Sequence, residues 1–146
     1  MTSERYTVWY AWEGRELDVV RFLSEAGEAV VEVDVLPSKQ RWTVRFEYAI
    51  AARLADEGNR IRTVGSAEWE RGLGIYLVAG SEFLRWLHAD SRNVHADADV
   101  KHYAIVSSSG LWVDVASIVH PSVEPLISNN EHEQEQPDRE QRPDRG

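Results

Sequence analysis

The side chains with the most evident chemical potential fall in one short stretch: His88, Asp90, His95, Asp97, Asp99 and His102, with the three histidines spaced by seven. Imidazole and carboxylate are the ligands that zinc, manganese and iron(II) accept, and an ion held with an open position acidifies bound water for hydrolysis. His88, His95, Asp97, Asp99 and His102 therefore form a candidate metal set. The function they would support is a metal-dependent hydrolase or a small-ligand-binding protein. Their spacing tells against it, because a period of seven aligns side chains only along a continuous helix. Ser91-Arg92-Asn93 and the Asp-Ala-Asp run instead carry loop composition. The plainer expectation is a solvated connection whose aspartates bond their own turns. Nothing else in the chain calls for a cofactor, and none is expected.

Two further groups deserve the same weighing. Arg41, Arg45, Arg60 and Arg62 would share a sheet face if their strands were adjacent, and Arg45 and Arg62 are the candidates for holding an anion. Glu32, Asp34 and Glu47 lie close enough in sequence to pair with them instead. Six tryptophans are more than a core of this size requires, and tryptophan is enriched at binding hot spots. Most must serve packing. Trp69 stands apart, flanked by Glu68 and Glu70 in a glycine-bounded segment without apolar neighbours, and Trp86 also has polar neighbours. Trp69, Glu68, Glu70 and Trp86 are the candidate partner-binding residues. Ser107, Ser108 and Ser109 have no base nearby in sequence and read as a polar turn.

Several signatures are missing. There is no Gly-x-x-x-x-Gly-Lys-Ser/Thr, no Gly-x-Gly-x-x-Gly, no Gly-x-Ser-x-Gly and no His-Glu-x-x-His. With no cysteine, disulfides, thiolate metal sites and cysteine nucleophiles are excluded. The formal net charge is -9, from 25 acids against 16 bases, which disfavours nucleic acid and anionic lipid as partners. No apolar run approaches the roughly 18 residues that span a bilayer. The N-terminus lacks the basic and apolar regions of a secretory signal, so a cytoplasmic location is expected.

Positioning these residues requires a core, and 146 residues at 42% hydrophobic content are enough for one domain. Residues 1–126 are expected to fold as a unit and 127–146 to form a disordered acidic tail, since no apolar residue occurs from Asn129 onward. Tyr6 to Trp12 reads as a central strand, and Ala29 to Leu36 and Arg41 to Tyr48 alternate with period two. The latter pair predicts a hairpin with its loop at Pro37–Gln40, Val33 facing Val44, Val31 facing Phe46 and Glu32 facing Arg45. Residues 15–26 carry Leu17, Val20 and Leu23 at helical intervals before Gly27, and the alanine-rich stretch 48–57 precedes Gly58; both predict helices. A strand at 60–64, one at 73–79, a helix begun by Ser81, and a hairpin of Lys101–Ser107 with Leu111–Ile118 complete the set.

The expected fold class is thus α+β: a mainly antiparallel twisted sheet carrying about three helices, in β-α-β-β-α-β-β-α-β-β order. The first half follows the β-α-β-β-α-β order of ferredoxin-like folds, and the two β-α-β-β patterns raise the question of an internal duplication. The function expected is that of a non-catalytic protein-binding module, an adaptor, inhibitor or immunity-type factor, using an acidic and aromatic surface. Its partner would be another protein, and self-association into a homo-oligomer is compatible with the same surface.

Overall fold

A computed structural model describes residues 3–56, 65–70 and 73–127. Arg60, Arg62, the expected strand at 60–64 and the tail from 128 onward lie outside the described residues. Strand accounts for 54% of what is described and helix for 10%, so the chain is mostly β and the expected α+β class with three helices is overturned. Strands β1 (Arg5–Tyr10), β5 (Ala49–Asp56), β6 (Glu68–Trp69), β7 (Ile75–Ala79), β8 (Lys101–Val106) and β9 (Leu111–Ser117) form a six-stranded sheet in the order β5-β9-β8-β7-β1-β6. Strands β2 (Leu17–Glu25), β3 (Glu28–Val35), β4 (Gln40–Phe46) and β10 (Ser122–Pro125) form a second sheet in the order β10-β4-β3-β2. One helix, α1 (Glu82–Asp90), follows β7 among the described residues. Among the described residues the ferredoxin-like order and the duplicated β-α-β-β pattern are not present.

Two of the three expected helices are strands, each for an identifiable reason. Leu17 and Val19 point inward, a bulge after Val19 shifts the register, and Phe22 then faces the inner side opposite Val31. The bulge breaks strict alternation and so imitates helical spacing. Gly27, which the sequence offers as a helix end, lies instead in a two-residue turn with Ala26. Both have positive φ, 45° for Ala26 and 83° for Gly27, as the tight turn joining right-twisted strands requires. In β5 the alanines are small because something lies on them. Ala51 and its cross-strand partner Ala116 form a shallow seat for Phe83 and Leu87 of α1. Tertiary packing here overrides the helical preference of alanine.

The β3–β4 hairpin keeps its expected faces but not its expected register. Val31, Val33, Val35, Val44 and Phe46 are buried, with Val31 opposite Val44 and Val33 opposite Trp42. The turn is Leu36–Lys39, closed by the Lys39 amide donating to the Val35 carbonyl at 2.9 Å. A shift of two residues leaves every side chain on its own face, which is why the apolar pattern could not distinguish the registers. The charge pairs move with it: Arg41 bonds Asp34 at 2.9 Å and Arg45 bonds Glu28.

The inner faces of the two sheets meet in the main core. Val31, Val33, Val44 and Phe46 from the smaller sheet pack with Ile75, Tyr103, Ile105, Val113 and Val115 from the larger. The larger sheet's outer face is also buried, by α1 over its β8–β9–β5 side and by a ring cluster around Tyr6 near β6. One glycine is demanded by close approach. A Cβ on Gly74, whose φ is +150°, would sit 1.9 Å from the Tyr10 carbonyl oxygen where β1 is bulged. Gly74→Ala is expected to lower stability by roughly 3 kcal/mol, whereas Gly27→Ala, with open space around the same atom, should cost only about 1 kcal/mol. Urea denaturation of the two variants checks this, and equal losses would contradict the close approach.

Candidate functional site

On the outer face of the larger sheet, strand alternation directs two polar side chains into an otherwise apolar layer, His102 from β8 and Asp114 from β9. Both are buried, with exposures of 1% and 0%. His102 Nε2 lies 2.6 Å from Asp114 Oδ1, and His102 Nδ1 lies 2.7 Å from Ser81 Oγ. Ser81 is the N-cap of α1, and its Oγ accepts from the Leu84 amide at 3.0 Å. A carboxylate only accepts, so Nε2 carries the imidazole proton toward Asp114. In the neutral imidazole the Ser81 hydroxyl donates to Nδ1. Asp114 also accepts from Trp112 Nε1 at 3.2 Å and from Arg53 Nε at 2.7 Å, while the Arg53 guanidinium sits 4.6 Å above the Phe83 ring.

Serine, histidine and aspartate in hydrogen-bonded series are the components of nucleophilic acyl transfer. The surroundings here close that route. Ser81 is 6% exposed and its oxygen is engaged as both donor and acceptor. The start of α1, whose free amides would be needed to stabilise an oxyanion, is occupied by Glu4, which is buried and accepts from the Glu82 amide at 3.2 Å. The array clamps the helix cap to the sheet.

Next to this clamp, a pocket of about 380 Å³ is lined by Glu16, Leu17, Trp69, Leu73, Tyr76, Val106, Ser107, Ser108 and Trp112. Its aromatic rings are held by one another. Trp69 stacks on Tyr6 with centroids 4.0 Å apart and meets Tyr76 and Trp112 edge-on at 5.3 and 5.5 Å. The Tyr76 hydroxyl has a pKa raised above the ordinary tyrosine value, first by burial and then by the negative charge of Glu70. At the far wall, Ser107 Oγ accepts from the Val19 amide at 3.1 Å and Ser108 Oγ donates to Asp18 at 2.8 Å. These bonds dock the β8–β9 turn onto β2. The mouth is formed by the exposed Glu16, Leu73 and Ser108.

No family model, curated protein or solved structure matches the chain.

The structure disperses the candidate metal set. His88 lies in the last turn of α1 with its Nδ1 buried and unpartnered, and His95 sits in the turn beyond it. Asp97 and Asp99 are exposed, Asp99 facing Lys101 at 3.6 Å, and both ring nitrogens of His102 are engaged by Ser81 and Asp114. Among the described residues no three His, Asp or Glu side chains are grouped to hold a metal ion. Arg45 is paired with Glu28, and Arg62 lies outside the described residues. Of the candidate partner residues, Trp69 is brought into the ring cluster and half-buried, Glu68 pairs with Arg5 at 3.1 Å, and Glu70 accepts from the Val8 amide at 2.6 Å. Trp86 is separate, 54% exposed on α1 and stacked on Phe83. No helix among the described residues is long and apolar enough to cross a membrane.

Sequence reasoning passes over Ser81, His102 and Asp114 as a group, and over Tyr76 and Trp112 as pocket walls. One signal was present: a histidine and an aspartate standing at alternate positions of otherwise apolar strands. If the array is a clamp, an active-site-directed fluorophosphonate leaves Ser81 unmodified in the native protein, and Ser81→Ala lowers stability by about 2 kcal/mol through loss of the cap and of a partner for His102. Mass-spectrometric detection of phosphonylated Ser81 would instead make it a nucleophile.

Proposed function

We propose that this chain is a non-catalytic binding protein whose partner is another protein, and that the pocket beneath Trp69 receives a side chain of that partner. The observation carrying the proposal is the pocket itself: a preformed concavity of about 380 Å³, walled by rings already locked against one another, beside a surface mouth. A receptor whose walls do not reorganise loses little conformational entropy on binding. Half-buried tryptophan in such a setting is the residue type that dominates interface energetics. The burial of Ser81 and its bonds to His102 and the Leu84 amide fit a structural role for that side chain.

A selection of binding peptides from a random display library provides the test. Binders to the wild-type protein are expected to lose about tenfold or more in affinity against Trp69→Ala, in keeping with the loss of one hot-spot residue. Trp86→Ala, on a separate patch, should leave the same peptides bound. Recovery only of peptides indifferent to Trp69, with the variant shown to be folded by its urea transition, would overturn the proposal.

A further inference from the structure

Resting on that proposed role of the pocket, we infer that the group it receives is cationic: the methylated ammonium of a partner's lysine, held against the ring faces of Trp69 and Tyr76 with Glu16 at the mouth. Three features of the site converge on a positive, weakly hydrated occupant.

The lining is aromatic where it is deep and anionic where it is open. Trp69, half-buried, and the little-exposed Tyr76 supply electron-rich ring surface that attracts a cation within about 6 Å of a centroid, with Trp112 buried behind them. Glu16 is the one ionisable acid among the described lining residues. It is exposed, and no arginine or lysine stands among those residues to compete for it.

A second carboxylate stands beside the pocket wall. Glu70, anchored through its carboxylate to the Val8 amide, acts on the Tyr76 hydroxyl in the direction that disfavours forming an anion there. Burial is the larger cause of that raised pKa, and Glu70 adds a negative charge beside the same wall. At longer range the chain's net charge of -9 would steer a basic segment toward it and repel an acidic one.

The shape selects among cations. A bare lysine ammonium is a compact and strongly hydrated charge, costly to bring among rings, and the flat fork of an arginine seeks a planar anion partner. Methyl groups spread the charge over apolar surface and replace N–H donors that ring walls would leave without acceptors.

The test compares two probes by calorimetry against the full chain: Nα-acetyl-Nε-trimethyllysine methylamide, and its neutral isostere in which carbon replaces the charged nitrogen. The cation should bind about tenfold tighter than the isostere, lose that advantage in Glu16→Gln at low salt, and lose binding altogether in Trp69→Ala. Equal or tighter binding of the isostere would overturn the charge assignment while leaving the pocket as a receptor for an apolar side chain. Failure of both probes would also overturn it. The proposed binding role would then survive only if the peptide selection still returned ligands dependent on Trp69, so the two ideas fail separately.

Discussion

A carboxylate withdrawn from water must be surrounded by donors, because the uncompensated charge would cost several kcal/mol. Asp114 is such a group, with no solvent exposure and, among the described residues, three donors arriving from three directions. Arg53 comes from the neighbouring edge strand β5, His102 from β8 on the other side, and Trp112 from two positions earlier on β9 itself. Through His102 the chain of bonds extends to Ser81 and so to the first turn of α1. One buried charge therefore ties an edge strand, the sheet centre and the helix start into a single arrangement. A partly satisfied network of this kind would be worse than an apolar layer, which makes its completeness the condition for the rest.

The same constraint sets up the pocket. Trp112 has its indole nitrogen committed to Asp114, so the ring cannot turn, and its plane becomes a fixed side of the cluster built with Tyr6, Trp69 and Tyr76. The two-residue strand β6 then holds Trp69 by pairing in parallel with Arg5 and Tyr6. Opposite, Ser107 and Ser108 fasten the β8–β9 turn to β2 of the other sheet. The pocket thus borrows walls from both sheets while its rigidity comes from the network behind it. The hydrogen-bonded array and the ring cluster are thus joined through a single side chain, Trp112.

Part of this was legible in the sequence because it depends on local period alone. The alternation of 29–36 with 41–48 placed Val33 and Phe46 inside and Asp34 and Arg45 outside, and Ser81 before Phe83, Leu84 and Leu87 marked helix α1. The β8–β9 hairpin was likewise visible around Ser108-Ser109-Gly110. Elsewhere the same residues satisfied two local rules. Gly27 can end a helix or turn a hairpin, and Ala51, Ala52 and Ala55 favour a helix until another element needs a flat surface to lie on. Such choices are made by contacts between Ala51, Ala116 and Phe83, residues more than thirty positions apart. The seven-residue histidine spacing was the opposite case, a local regularity without a shared face to give it meaning.

Asp114 and His102 are joined by a fixed set of hydrogen bonds, and the imidazole itself reports on them directly. A long-range ¹H–¹⁵N correlation spectrum of the native protein should show His102 as a single tautomer, protonated at Nε2 with a slowly exchanging proton and bare at Nδ1. A ring protonated at Nδ1, or one whose Nε2 proton exchanges with water as fast as that of an exposed histidine, would show that the clamp does not exist.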